Sequence, residues 1–158
     1  MNYIFSAIFL YFFLGFLLYI FQRRIVFNKS GHPGAPKDYN LDNTEEVYIK
    51  TEDNLKLLSW YHKGNNSLPL LVYFHGNSFH IGDRAYRIQR YIEKNWSVLL
   101  VSWRGFGGNK GNPTEKNLYK DAEAVLKWIK NNTEFKFKEL VIYGESLGSG
   151  AAVEMGTK

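Results

Sequence analysis

Residues 139–150 read ELVIYGESLGSG. The apolar run at 139–143 (ELVIY) is short and continuous, which predicts a strand buried on both faces. It runs straight into Gly144-Glu145-Ser146-Leu147-Gly148, and the small residues of 149–156 (SGAAVEMG) suit a closely packed helix. A serine set between such a strand and such a helix, with glycine two residues away on either side, fits a nucleophile elbow. The glycines have a physical reason. The turn is tight and its serine backbone strained, so side chains at Gly144 and Gly148 would collide with neighbouring structure. The turn lifts the Ser146 hydroxyl clear of the sheet and points the Leu147 N–H and the helix N-terminus toward an anion. The bland alternative is a glycine-rich turn with a passive serine.

Working back from the elbow, strands alternate with helices. Residues 68–75 (LPLLVYFH) and 97–103 (SVLLVSW) are further buried strands. Residues 83–95 place Ala85, Ile88 and Ile92 at helical spacing. Thr114 can cap a helix whose apolar face is Leu118, Ala122, Val125 and Ile129. Residues 45–51 (EEVYIKT) and 56–63 (KLLSWYHK) flank the turn cluster Glu52-Asp53-Asn54 and read as a hairpin. Residues 28–44 hold two Pro and two Gly and no apolar period, so they read as an irregular lead-in. The pattern is that of a parallel α/β domain.

A second site feature is Phe74-His75-Gly76-Asn77, at the end of another buried strand. Gly76 frees the backbone there, and the N–H of Asn77 can face a ligand. With Leu147 it would make a two-donor oxyanion hole for an acyl intermediate. His75 stands one residue before that turn, and its ring is expected to brace the loop rather than serve as the base.

These residues resemble a family. Taken together, the sequence is similar to the α/β-hydrolase superfamily, and within it to membrane-anchored serine hydrolases with an H-G-N motif. The matching positions are His75-Gly76-Asn77, Ile81-Gly82-Asp83-Arg84, Trp103-Arg104-Gly105-Phe106-Gly107, Pro113-Thr114-Glu115 with Asp121-Ala122, and Gly144-Glu145-Ser146-Leu147-Gly148. Ser102 departs from the family's usual Asp, and Ser78-Phe79-His80 from its usual small residues and Asn. The resemblance implies strand order 1-2-4-3-5, with Ser146 and Asn77 on one carboxyl edge. It also implies cleavage of carboxylic esters or thioesters, with acylated lipids or proteins as substrates.

The same resemblance exposes a gap. In this superfamily the acid and then the histidine follow the serine. No Asp or His follows Ser146, and Glu154 is the only acid there. The reading is therefore an α/β-hydrolase fold truncated after its nucleophile elbow, the N-terminal portion of a hydrolase, with 45–158 as the partial domain. Loss of acid and base costs about 10⁴–10⁶ in rate, so this chain is expected to be inactive alone. The fifth strand would be an exposed apolar edge, open to a complementing chain. The alternative is a non-enzymatic remnant or membrane-tethered interaction module.

The first 24 residues are a different material. Residues 3–21 (YIFSAIFLYFFLGFLLYIF) carry no charge, and as a helix they span about 28 Å, close to a bilayer's hydrocarbon thickness. No basic n-region precedes them, which argues against a cleaved signal peptide. Residues 1–24 thus read as a single-pass transmembrane anchor and 25–44 as the lead-in. Arg23, Arg24 and Lys29 follow the span, which places the soluble part on the cytoplasmic side.

Composition excludes other classes. The 158 residues are 45% hydrophobic and 22% charged, too apolar for a disordered chain. There is no cysteine, hence no disulfide, thiolate metal site or cysteine nucleophile. The net charge of +5 is spread without clustering, so no nucleic-acid partner is expected. No group of side chains has metal-ligand spacing. The glycine-rich stretch 105–111 fits neither phosphate-loop pattern. No cofactor is expected. Arg104 reads as a structural ion-pair residue rather than an anion site.

Overall fold

A computed structural model of the chain describes residues 2–27 and 31–158. The helix α1 (Asn2–Val26) comes first, and its side chains are almost all exposed. It is long and apolar enough to cross a membrane. The helix carries on through Arg23 and Arg24 to Val26, two residues beyond the boundary at 24, because nothing in QRRIV breaks it. Lys29 and the rest of 28–30 lie outside the described residues.

The remaining elements are β1 (Thr44–Lys50), β2 (Lys56–His62), β3 (Leu70–Phe74), α2 (Ala85–Ile92), β4 (Ser97–Val101), α3 (Glu115–Asn132), β5 (Leu140–Gly144) and α4 (Leu147–Gly156). The five strands form one sheet in the order β1-β2-β4-β3-β5. β1 and β2 are an antiparallel hairpin, and β2 meets β4 antiparallel. β4, β3 and β5 run parallel. The strand order is the one the family resemblance implies, and the hairpin-then-parallel plan is the one the sequence pattern predicts.

Every residue of β3 and β4 is buried, as their continuous apolar runs require. Alternation then assigns each residue to one of two layers. Leu70, Val72, Phe74, Leu99 and Val101 face α3 and α4, where they meet Leu118, Val125, Ile129 and Met155. Leu71, Tyr73, Val98 and Leu100 face α2 and pack on Ile88 and Ile81. Each such aliphatic or aromatic side chain is worth about 1.5–3 kcal/mol when fully buried. Thr114 caps α3, its hydroxyl accepting from the Asn117 N–H at 3.2 Å.

Two expectations need correcting. β5 is not buried on both faces: Val141 and Tyr143 are each 40% exposed. Leu140 and Ile142 pack into the layer under α3 and α4, but no described element covers the opposite face beyond Tyr73, which meets the Tyr143 ring at 4.7 Å. β5 is also an edge strand. The lead-in, in turn, is more ordered than its composition suggests. Pro36–Tyr39 forms a 3₁₀ turn, and Leu41 is buried beside Trp60.

The register positions the site. Phe74 of β3 pairs with Gly144 of β5 and with Val101 of β4. The three chains therefore leave the sheet at one level of its carboxyl edge, and the residues that follow β3 and β5 emerge side by side.

Candidate active site

Ser146 sits between β5 and α4 with φ 47° and ψ −111°. A non-glycine residue with positive φ outside the usual left-handed well is strained, and such strain gathers at functional sites. The side chain is exposed. The turn closes through the Gly148 N–H, which donates to the Glu145 carbonyl at 2.8 Å, and the Ser149 N–H, which donates to the Ser146 carbonyl at 2.9 Å.

Both elbow glycines are required by space. A Cβ on Gly144 would lie 2.5 Å from the Gly148 carbonyl oxygen and from the Ser149 Cα. A Cβ on Gly148 would overlap the Phe74 carbonyl oxygen and come within 2.9 Å of the His75 carbonyl oxygen. Those obstacles are backbone and cannot rotate away. Neither glycine has positive φ, so close approach alone selects them.

The loop after β3 comes to the same place. A Cβ on Gly76 would lie 3.4 Å from the Ser146 Cβ and 3.3 Å from the Glu145 carbonyl oxygen. Asn77 follows directly. Leu147 is the first residue of α4, so its N–H has no acceptor within the helix. Ser146, Gly76, Asn77, Leu147, Gly144 and Gly148 are thus gathered at one edge. The Asn77 side chain has a further contact that its motif does not suggest: its amide donates to the Val26 carbonyl at 2.8 Å, tying the end of α1 to this loop.

His75 points the other way. It is fully buried, with Nδ1 2.6 Å from the Gly76 carbonyl and Nε2 3.5 Å from the Trp103 N–H. That pairing needs the Nδ1–H tautomer, which donates to Gly76 and accepts weakly from Trp103. The Trp103 indole N–H donates back to the His75 carbonyl at 2.8 Å. Burial, with the Arg84 charge adding to it, pulls the His75 pKa down to about 4. A neutral, enclosed ring holds the loop and has no path to Ser146. His62 bonds Thr44 at 3.2 Å on the far strands. Among the described residues no histidine bonds the Ser146 hydroxyl.

Several residues that organise the site have no role assigned from the sequence. Arg84 is one. Its guanidinium donates to both Glu145 carboxylate oxygens, at 2.9 and 3.2 Å, and to the Ser78 carbonyl at 2.8 Å. Tyr73 donates to the same carboxylate at 2.8 Å. One cation therefore clamps the residue before Ser146 to the loop after Asn77. Partial burial raises the Glu145 pKa, but the Arg84 and Tyr73 hydrogen bonds outweigh it and leave the group lowered. The only sequence signal was Arg84's place in Ile81-Gly82-Asp83-Arg84.

Arg104 makes the structural ion pairs expected of it. It bonds the fully buried Asp121 at 2.6 Å and the half-exposed Asp53 at 2.7 Å. The Arg104 and Thr51 hydrogen bonds hold Asp53 down at about 2. The glycine-rich loop has a structural role as well. Asn109 accepts from the Leu58 N–H at 2.8 Å and donates to the Ser102 and Trp103 carbonyls, fixing that loop across β2 and β4. Ser102 packs against that loop: its hydroxyl donates to the Phe106 carbonyl at 3.4 Å, and a Cβ on Gly107 would lie 2.9 Å from the hydroxyl. Among the described residues no group of three or more His, Cys, Asp or Glu could hold a metal ion.

A cleft of about 550 Å³ opens beside the elbow, between the end of α1 and the pair α3 and α4. Leu147, Leu118 and Val26 are among its walls.

This architecture recurs in known proteins. By structure, the chain is similar to the Pyrococcus furiosus esterase Pf2001, with a TM-score of 0.64 and 26% identity over 80% of this chain and 50% of that one. By sequence it is 28% identical to the α/β-hydrolase domain-containing protein WAV2 of Arabidopsis thaliana, over 90% of this chain and 48% of that one. The chain has the α/β-hydrolase fold. It is also 30% identical to protein bem46 of Schizosaccharomyces pombe, over 92% of its own length and 51% of bem46. It is 29% identical to an uncharacterized membrane protein of Saccharomyces cerevisiae, over 89% and 51%. No family model matches it. The chain spans about half the length of the curated relatives it matches.

Proposed function

We propose that the chain carries the nucleophile and oxyanion donors of a serine hydrolase of the H-G-N type, acting on carboxylic esters or thioesters of acyl groups at a membrane surface. The single observation that supports this most is the strained backbone of Ser146 (φ 47°), on an elbow pressed against Gly76.

In that reading the Ser146 oxygen adds to the acyl carbonyl carbon. The carbonyl oxygen takes the negative charge and accepts from the Asn77 and Leu147 N–H groups, with the α4 N-terminus adding its dipole. The carbon–oxygen or carbon–sulfur bond to the leaving group then breaks, and the leaving group takes a proton. Water releases the acyl group in a second addition. The serine proton needs a base, and no described histidine bonds the Ser146 hydroxyl. A base with its orienting acid is worth about 10⁴–10⁶ in rate in such a triad. An acid and a histidine brought by a polypeptide along the exposed β5 edge would complete it.

The anchor belongs to the same proposal. α1 crosses the bilayer, and Arg23 and Arg24 in its last turn sit at the cytoplasmic headgroups. A similarity to a yeast protein named as a membrane protein supports the anchor.

A fluorophosphonate probe tests the assignment, using the whole chain in phosphatidylcholine vesicles with and without added imidazole as a surrogate base. Labelling should rise with imidazole and vanish in Ser146→Ala. A folded chain that stays unlabelled at every imidazole concentration would instead support a non-enzymatic, membrane-tethered module.

A further inference from the structure

We infer that the loop after β3 is a second membrane contact, in which the Phe79 ring enters the headgroup layer of the bilayer beside the end of α1 and turns the carboxyl edge of the sheet toward the lipid surface. The inference rests on the reading of α1 as a bilayer-spanning anchor and adds where the domain itself meets the membrane.

The fold does not explain why a phenylalanine stands at this position. The Phe79 φ is 62°, a left-handed conformation that is rare for a bulky residue and that Gly or Asn adopts more readily. The residue is wholly apolar in its side chain, yet it is 57% exposed. It also falls in the triplet Ser78-Phe79-His80, where the resembling family carries small residues and Asn, so the feature is particular to this chain. Strain and exposed apolar surface together on a site loop point to a use outside the folded core.

The position of the loop indicates that use. Asn77 donates to the Val26 carbonyl at 2.8 Å, and two residues of chain reach at most about 7 Å, so the Phe79 backbone stays close to that bond. The uncharged stretch of α1 ends at Phe21, and the rise from there to Val26 is about 7–8 Å. The headgroup layer is about 5–8 Å deep on each side of the hydrocarbon. With α1 upright, Val26 stands at the outer limit of that layer, and a Phe ring from the neighbouring loop reaches into it. Ile25 and Val26 are 62% and 45% exposed, which continues the apolar surface of the anchor to the loop.

A second exposed aromatic marks the same edge. α2 connects the parallel strands β3 and β4, so its first turn lies at their carboxyl edge. Tyr86 in that turn is 61% exposed. The Arg87 guanidinium lies 5.5 Å from the centre of the Tyr86 ring and donates to its hydroxyl at 2.9 Å. An aromatic ring with an arginine beside it suits the bilayer interface, the ring among the lipid carbonyls and the cation at the phosphates. Ser146 opens on this same edge, so the contact would hold it facing the lipid surface.

The chain has no cysteine, so one introduced cysteine can carry a fluorescent NBD label without background. Phe79→Cys is compared with Phe137→Cys and Leu14→Cys, each as the full chain in phosphatidylcholine vesicles. Phe137 is a matched control: it is 53% exposed but precedes β5, at the opposite edge of the sheet. Leu14 lies within α1. The label at 79 should lose at least half its emission when the lipids are brominated on the upper acyl chain, and should be shielded from iodide present on both sides of the membrane. The label at 137 should behave the opposite way. Quenching by iodide at 79 as strong as at 137 overturns the inference. So does a label at 79 shielded from both quenchers, which would be covered by protein instead of lipid. The label at 14 distinguishes the two readings. If bromine quenches it while iodide quenches the label at 79, the anchor stands and the loop contact fails; if iodide quenches both, both fail. Hydroxyl-radical footprinting of the wild-type chain in the same vesicles decides the matter if Phe79→Cys does not fold. Phe79 should then be oxidised several-fold less than Phe137, and equal oxidation overturns the contact. None of these readings depends on the chemistry of Ser146.

Discussion

Gly148→Ala is a demanding test of the elbow geometry, because a single added methyl meets only backbone. Helix propensity alone would make the substitution favourable by about 0.8–1.0 kcal/mol. Against this stands the overlap of the new Cβ with the Phe74 carbonyl oxygen, with the Phe74 carbonyl carbon at 2.7 Å and the His75 carbonyl oxygen at 2.9 Å. Overpacking of a well-filled site costs about 1–3 kcal/mol and sometimes more. The obstacles are the end of a central strand, so the upper part of that range applies and the net loss is about 2 kcal/mol. At a urea slope of about 1–3 kcal/mol/M, the unfolding midpoint should fall by roughly 1 M. Two glycines of the same helix serve as controls. Gly150→Ala meets only Tyr119 at 3.6 Å, and Gly156→Ala meets nothing within 4 Å. Both should leave stability unchanged or raise it by up to about 1 kcal/mol. Urea titration in detergent micelles, followed by near-ultraviolet circular dichroism, gives all three values. α4 must shift to admit the methyl, carrying the Leu147 N–H with it, so imidazole-assisted phosphonate labelling should fall as well. If Gly148→Ala proved as stable as Gly150→Ala, α4 would not rest on the end of β3, and the elbow reasoning would fail.

Three further outcomes are expected. Because the Glu145 pKa is lowered in the folded chain, its ion pair with Arg84 stabilises above the unfolded value of about 4.3 and is lost as pH falls through the folded value. Arg84→Gln should therefore cost about 1–3 kcal/mol at neutral pH and much less at acid pH, as read from urea midpoints at pH 7 and pH 3. His75 has a folded pKa of about 4, below its unfolded value, so its neutral form stabilises above about 6.5 and that contribution declines as pH falls from there to about 4. Nitrogen-15 NMR should find a fixed Nδ1–H tautomer between pH 8 and pH 5.5, and a titration centred near 6.5 would contradict the buried placement. Asp121→Asn removes a wholly buried partner of Arg104 and should cost about 3 kcal/mol. Asp53→Asn alters a side chain 48% exposed and should cost about 1 kcal/mol or less. Comparing their unfolding midpoints separates the two, and equal costs would mean that Arg104 is not enclosed as described.

Local sequence determined a good deal of this protein. Continuous apolar runs in β3 and β4 required strands covered on both sides, and the 3.6-residue spacing of Leu118, Ala122, Val125 and Ile129 required a helix with one buried face. The small residues of the elbow required a close backbone approach. Each of these properties is a matter of near neighbours in the chain, so periodicity and residue size reveal it. Other features depend on contacts between residues far apart in sequence, and only the folded sheet decided them. Whether β5 was covered depended on how far the α2 layer reaches, which no residue in ELVIY encodes. The Arg84–Glu145 clamp joins residues 61 positions apart, and the Asn77–Val26 bond joins the loop after β3 to the end of α1 across 51. Such pairings follow from the register that sets Phe74 beside Gly144. Register is fixed by the packing of whole layers, and that is a collective property of the fold.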